Sequence, residues 1–301
     1  MAINRAQLVK ELEPGLNALF GLEYAKYPDE TTEIFDSESS DRAFEEETML
    51  TGFGAAATKD EGGSVSYDTA SEVWTARYDM ETIALAFALT EEAIEDNLYE
   101  KLSARYTKAL ARSMMHTKNV KGAAVLNSAF DGTRLGGDGI DLCGTHVLSY
   151  GASIVNQVAT ATDLNETALE NACIAISKFT DEKGLNIAIK PVKVIIPPDV
   201  GFVAERVLHS PARVASADND LNAIATRGVI PGGYTVNHFL SDVDAWFLKT
   251  DAPNGLKFFD RIAMKTAFEG DFDTGNVRYK ARQRYVFGFS DWRCMYGSEG
   301  A

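Results

Sequence analysis

The sequence predicts an α+β protein organised around one stiff helix, and three features carry that prediction. A helical stretch runs from Thr90 to about Ser128, an alternating extended stretch precedes it, and residues 160–265 mix strand and helix patterns. In the helix, Ile94, Leu98, Leu102, Tyr106, Leu110 and Met114 recur at every fourth position as one drifting apolar stripe. Thr90 supplies a capping hydroxyl, Glu91 and Glu92 favour the positive end of the helix dipole, and Asp131-Gly132 supplies the stop. No proline interrupts the chain between Pro28 and Pro191. At 1.5 Å per residue such a helix spans roughly 50–60 Å, longer than a compact domain usually needs.

In chain order, Leu8, Leu12, Leu16, Leu19 and Phe20 predict a short amphipathic helix over residues 4–20, interrupted at Pro14-Gly15. Residues 28–62 hold eleven acids against two bases, Arg42 and Lys59. That composition predicts an extended arm lying over something else, anchored by Ile34, Phe35, Phe44, Met49, Leu50 and Phe53. Residues 52–63 have the composition of a loop tip, with Lys59-Asp60-Glu61 before a glycine pair. From Ser64 the chain alternates: Trp74, Ala76, Tyr78 and Met80 share one face, and Thr75, Arg77, Asp79 and Glu81 the other. Ile83 to Leu89 is apolar on both faces, which predicts a strand running into a covered sheet. A long hairpin with half an apolar face needs a neighbour to pack on, and a second subunit is the expected supplier.

Residues 131–151 are glycine-rich and irregular. A helix from Asp163, a buried strand over Val192–Ile196, a second helix opened by Pro197-Pro198-Asp199, a long loop over 210–235 and a strand at Trp246–Leu248 follow. Residues 276–292 form a strong strand with Val277, Tyr279, Ala281, Tyr285, Phe287 and Phe289 on one face. Arg278, Lys280, Arg282 and Arg284 make its other face basic; pairing with the acidic arm is the expected use of that stripe, ahead of DNA.

Composition limits the function. A net charge of −15 makes wrapping of duplex DNA a poor expectation, because phosphate contacts need clustered Lys and Arg. Three dispersed cysteines (Cys143, Cys173, Cys294) predict no disulfide framework and fit a reducing cytosol. No signal-peptide region is expected at Met1–Arg5, and no apolar run is long enough to span a membrane as a helix.

Chemical motifs are sparse. Cys143-Gly-Thr-His146 has a zinc-compatible spacing without a second ligand pair, and Asp131–Asp141 lacks the alternating acids of a calcium loop. Neither phosphate-cradling glycine motif occurs, and His116, His146, His209 and His238 suggest no triad. The residues therefore predict no catalytic group, no cofactor and no metal.

The order of features resembles the major capsid protein of tailed double-stranded-DNA bacteriophages, a fold shared with encapsulin shells. Residues 70–128 carry most of the resemblance, from Ala76-Arg-Tyr-Asp-Met-Glu-Thr-Ile-Ala-Leu-Ala-Phe87 into Thr90-Glu-Glu-Ala-Ile-Glu-Asp96. Lys193–Val200 resembles the family's axial strand and helix, and Arg278–Trp292 its closing peripheral strand. The resemblance implies a phage major capsid fold with residues 1–48 as N-terminal arm and 49–85 as extended β-hairpin loop. Residues 86–159 become the peripheral domain with spine helix 90–128, 160–265 the axial domain, and 266–301 the return to the peripheral domain.

Also implied is a non-enzymatic shell protein whose pentamers and hexamers close into an icosahedral head around phage DNA. The extended loop (Lys59, Asp60, Glu61, Trp74, Arg77, Tyr78, Met80) and the arm (Ile34, Phe35, Phe44) are its expected intersubunit contacts. Gly52, Gly54, Gly62 and Gly63 are the expected bending points, and covalent crosslinking through Lys59 is not expected. Because the sequence opens at the arm, a separate scaffolding protein is expected. The other expected partners are a portal, decoration proteins and packaged DNA contacted non-specifically, with no membrane. The expected location is the virion, assembled in the bacterial host cytoplasm. Two rival readings are an encapsulin-type nanocompartment with enzyme cargo and a small soluble hydrolase using the glycine-rich loop.

Overall fold

Two four-stranded sheets organise the chain, whose computed structural model describes residues 5–90, 99–212, 220–270 and 275–301. In order, the elements are α1 (Arg5–Lys26), β1 (Asp36–Ser39), β2 (Phe44–Leu50), β3 (Glu72–Asp79), β4 (Glu81–Leu89), α2 (Tyr99–Asn127), β5 (Thr145–Val147) and β6 (Ser153–Val155). There follow α3 (Glu166–Ser177), β7 (Pro191–Ile196), α4 (Gly201–His209), α5 (Ala223–Arg227), β8 (Tyr234–Val236), β9 (Trp246–Thr250), β10 (Leu256–Gly270), β11 (Val277–Phe289) and β12 (Met295–Ser298). The mixed architecture is α+β. The first sheet has the order β1-β10-β11-β4, and the second β12-β9-β7-β8. β2 pairs with β3, and β5 with β6.

α2 lies on the apolar face of the first sheet. Leu110, Ala111 and Met114 meet Tyr279 and Ala281 of β11, and α1 adds Leu16 and Phe20. The predicted stripe is only partly the buried one: Leu110 and Met114 are buried, but Tyr106 is exposed. A four-residue repeat overshoots a 3.6-residue turn by about 40° each step, so it rotates off the contact face. The true seam runs Ser103, Thr107, Leu110, Ala111, Met114. Thr90 is described at the end of β4, but the predicted first turn with Glu91 and Glu92, together with Ile94 and Leu98, falls outside the described residues.

Four further expectations are corrected. Pro14-Gly15 does not interrupt α1, which continues to Lys26; burial of Leu16 and Phe20 beyond the proline outweighs the local penalty. β4 is an edge strand whose Ala84, Leu85, Ala86 and Ala88 stay exposed, so its small residues are not a buried run. The region read as a loop over 210–235 contains α5 and the start of β8 among its described residues. α5 is capped by the Asn222 side chain, which accepts from the Ile224 and Ala225 amides, and ends at left-handed Gly228. Finally, β10 went unread, because its outer half mixes Lys265, Thr266 and Glu269 with partly buried apolar residues.

The second sheet forms the larger core. Val194, Ile195 and Ile196 of β7 and Trp246, Phe247 and Leu248 of β9 are essentially inaccessible and meet Leu169, Ala172 and Ile176 of α3. β12 pairs with β9 in this sheet, so the chain ends beside the strands of residues 191–250.

Candidate assembly surface

The arm is strapped to its own chain. Ile34 and Phe35, expected to anchor in a neighbouring subunit, are buried in the main core, with Phe35 edge-on to Phe287 at 4.9 Å. β1 adds a parallel strand to β10, pairing Asp36–Ser39 with Lys257–Asp260. Carboxylates then meet cations one by one along the arm: Asp29 with Lys118 (2.5 Å), Glu33 with Lys193 (2.8 Å), Asp36 with Lys249 (3.4 Å) and Glu38 with Lys257. Glu30 holds His238 at 2.7 Å. The Lys193 ammonium holds the Glu33 carboxyl below the usual range. Burial works against ionisation of Asp29, but Lys118 and Thr31 outweigh it and its pKa is also lowered. Close approach fixes the path, since a Cβ on Gly122 of α2 would sit 2.5 Å from Thr31 Cγ2. Sequence patterning registered the acids but not their partners, which lie 89 to 219 residues away.

The hairpin base is also covered from within. Trp74, Ala76, Tyr78 and Met80 do share one face, as the alternation predicts, but that face packs on Phe259 and Val286 of the same chain. Tyr78 is buried, lies edge-on to Phe259 at 4.9 Å, and bonds through its hydroxyl to Ser290, which itself donates to Glu47. Burial pushes the Tyr78 phenol well above its ordinary range. Trp74 and the β3 backbone press against Gly137, where a Cβ would fall 2.4 Å from Trp74 Cε3. The first sheet and the 134–137 turn bury Tyr78 within its own protomer and cover Trp74 and Met80 in part. Phe44 stays partly exposed, with the Arg77 guanidinium 4.2 Å above its ring. Arg77 also bonds Asp79 at 3.1 Å and Glu46 at 3.4 Å, all on the solvent face.

What does project is the segment between β2 and β3. Thr51 and Ser71 close its base, the Thr51 amide donating to the Ser71 carbonyl and the Ser71 amide to the Thr51 hydroxyl. Every residue from 55 to 72 is exposed, including Lys59, Asp60 and Glu61. Phe53, Val65 and Tyr67 are exposed too, Tyr67 at 98%. Val65 and Tyr67 were missed as contact candidates; the available signal was two large apolar residues in a stretch of Gly, Ser, Asp and Thr. Lys183 ties the return limb down through Asp68 (3.5 Å) and the Thr69 carbonyl (3.1 Å).

β11 alternates as predicted, with Val277, Tyr279, Ala281, Tyr285, Phe287 and Phe289 inward. Arg278, Lys280 and Arg282 are exposed and Arg284 is half-buried. Register places Ala88, Ala86 and Ala84 of β4 beside Arg278, Lys280 and Arg282, and Glu269, Ala267 and Lys265 of β10 on the other side. Among the described residues, the arm's acids meet Arg42, Arg77, Lys118, Lys193, His238, Lys249 and Lys257, on other surfaces.

The metal-like motifs resolve into structure. His146 is buried, bonds Asp138 at 2.6 Å and stacks on Trp292 at 4.2 Å, while Arg293 covers the indole at 4.3 Å. Cys143 is buried, and burial pushes its thiol up. Asp131, Asp138 and Asp141 accept from backbone amides of their own turn. Among the described residues no cluster of three metal-ligating side chains occurs, and no helix is long and apolar enough to cross a membrane. A cleft of about 450 Å³ lies between β3, the 134–137 turn and Val286–Phe289, with Arg77, Asp79, Glu81 and Arg134 around it. Its charged groups are spent on structure: Glu81 pairs with Lys121, and Arg134 donates to the Phe287 carbonyl at 3.2 Å.

A family model described as phage capsid protein matches residues 72–298, from the hairpin's return strand to β12. The chain belongs to the phage capsid protein family. It is a phage capsid protein, a structural subunit whose place is the virion. Solved shells share the fold at low identity. The capsid of an empty GTA particle, computed with C5 symmetry, is 13% identical over 91% of this chain and 90% of its own, with a TM-score of 0.57. The capsid of Myoviridae phage XM1 is 10% identical, 89% of each chain being covered, at 0.52. The SrpI encapsulin of Synechococcus elongatus PCC 7942 is 11% identical over 91% of this chain and 88% of its own, also at 0.52. No curated protein sequence matches the chain. Capsid function rests on the family match, while the Trp74 face packs on Phe259 and Val286 of its own chain.

Proposed function

We propose that this capsid protein forms pentamers and hexamers that close into the head of a tailed phage around double-stranded DNA. The observation that carries this reading is a capsid-family chain with a long projecting segment, exposed from residue 55 to 72, that carries uncovered apolar side chains. We read residues 49–85 as an extended loop reaching an adjacent subunit, burying on the order of a thousand Å2 or more per contact. Residues 160–265 are proposed as the axial domain, and 86–159 with 266–301 as the peripheral domain, with β10 crossing into the first sheet and β12 returning to the second. Scaffolding, portal and decoration proteins and the packaged DNA complete the proposed partners, with assembly in the host cytoplasm. Net negative charge on the shell would limit adhesion of packed DNA.

An encapsulin compartment uses the same fold to enclose cargo, and the phage capsid family match favours the head. Negative-stain microscopy with sizing of the purified protein is the test. Closed shells or rings of five and six are expected; a population of discrete small particles alone would overturn the reading.

A further inference from the structure

The two sheets contribute to one apolar core, which takes Phe258, Tyr285 and Phe287 from the first and Val194, Trp246 and Leu248 from the second. Apolar contact is non-directional, so it holds the sheets together more firmly than it fixes the angle between them. Residues 28–39 supply directional contacts to both sides. Toward the first sheet and its helix, the Asn119 side chain donates to the Pro28 carbonyl at 3.0 Å and accepts from the Glu30 amide at 3.2 Å. Asp29 pairs with Lys118, Phe35 packs on Phe287, and β1 adds to β10 with Glu38 against Lys257. Toward the second sheet, the Glu30 carboxylate holds the His238 amide at 2.9 Å and its ring at 2.7 Å. Glu33 takes Lys193 of β7 at 2.8 Å and the Thr235 hydroxyl of β8 at 2.6 Å, and Lys249 of β9 donates to the Ile34 carbonyl at 2.8 Å.

The two sets of contacts are interleaved along the chain. Glu30 reaches one way with its amide and the other way with its carboxylate, and Ile34 and Phe35 engage opposite sheets. A segment tied to one sheet alone would ride with it. Tied to both over so short a stretch, it resists their rotation. Each exposed ion pair adds at most about 1 kcal/mol to stability. The leverage is on geometry, because hydrogen bonds weaken steeply once stretched or bent, as they must be when the sheets turn.

We propose that residues 28–39 are an intramolecular strap that sets the angle between the two sheets, and through that angle the curvature of the shell. In a closed assembly each interface must repeat at a rotation that closes, so a subunit whose two lobes stand at a variable angle gives shells of variable radius. The curvature half rests on the shell reading above; the angle half does not.

The test compares Glu33→Lys, which sets a second cation against Lys193, with the swap Glu33→Lys plus Lys193→Glu, which restores an opposite pair. The Glu33 side chain is 58% exposed, so the variants should fold with an unchanged circular dichroism spectrum. Spin labels on Ala86→Cys of β4 and Phe202→Cys of α4, both exposed, report the distance between the sheets in the unassembled full-length subunit. Cys173→Ser removes the partly accessible native thiol, and Cys143 and Cys294 are buried. One narrow distance is expected for the parent, a distribution broadened by roughly twofold or more in Glu33→Lys, and the parent width again in the swap. An unbroadened distribution in Glu33→Lys, or broadening that the swap does not reverse, would overturn the strap. By electron microscopy of unlabelled protein, parent shells should be uniform in diameter, those of Glu33→Lys mixed, and those of the swap uniform again. Uniform shells from Glu33→Lys beside a broadened distance would overturn the link to curvature. Failure of the unmutated chain to form shells would overturn the shell reading, while the label distances still decide the strap.

Discussion

The arm of residues 28–50 and the loop of residues 51–71 are consecutive, poor in large apolar residues and net acidic, the arm more strongly (nine acids to one base, against three to one), yet they have opposite fates. The arm's apolar residues Ile34 and Phe35 are buried in its own core, and its acids are matched to cations spread over α2, β7, β9 and β10. The loop's Phe53, Val65 and Tyr67 face solvent, while the loop is held near its base by Thr51 with Ser71, by the Gly54 amide donating to Asp68, and by Lys183. Sparse, acidic sequence therefore does not by itself mark an intermolecular element. What separates the two is whether the chain supplies complementary cover nearby in space.

That contrast gives predictions in descending size. Phe35→Ala should cost the unassembled subunit about 3–5 kcal/mol in urea unfolding, as for a ring truncated inside a core. A change below about 1 kcal/mol would mean the arm is not integral to the protomer. Gly137→Ala should cost about 1–3 kcal/mol, because the added methyl meets the Ala76 amide and the Trp74 ring. Tyr78→Phe removes the hydroxyl that bonds Ser290 and should cost about 1–2 kcal/mol; an unchanged midpoint would show the hairpin base held by packing alone.

Acid should loosen the arm and spare the loop. Asp29 and Glu33 have pKa values lowered in the folded protein, so the stability they contribute is present above the unfolded carboxylate range, about pH 4. It is lost as pH falls through their lower folded values. Amide protection in residues 34–40, taken relative to the intrinsic exchange rate at each pH, should fall over that window while residues 55–67 stay unprotected throughout. Strong protection of the arm that does not change with pH would remove its ion pairs from the account. The smallest effect on the subunit is expected from Tyr67→Ser, within about 0.5 kcal/mol by thermal unfolding, accompanied by reduced shell yield. A clear loss of subunit stability would mean that Tyr67 is already covered.

Legibility followed the range of the interaction. The alternation of β11 was readable because period two depends on neighbours along one strand, and the faces of β3 for the same reason. The buried strand at Val194–Ile196 was readable from its continuous apolar run. The face of α2 was misjudged by small increments of angle, and β10 was invisible because its register with β11, including two irregular steps, is set by pairing rather than by pattern. Of the surface residues, Lys59, Asp60 and Glu61 are exposed as read, whereas Ile34, Phe35 and Tyr78 are interior. The opposition of Arg282 and Lys265 had no sequence signal, because the two residues become neighbours only through strand pairing.

The sequence by itself determined the class of elements, the two faces of each strong strand, the acidic surplus and the order of features that resembles a capsid subunit. Those properties depend on local periodicity and composition, which the linear chain carries. Only the tertiary structure decided which apolar face finds cover at home, which lysine meets which carboxylate, and which cations lie side by side. These are set by contacts between segments as much as 219 residues apart, where complementarity of shape and charge exists only after the chain has folded.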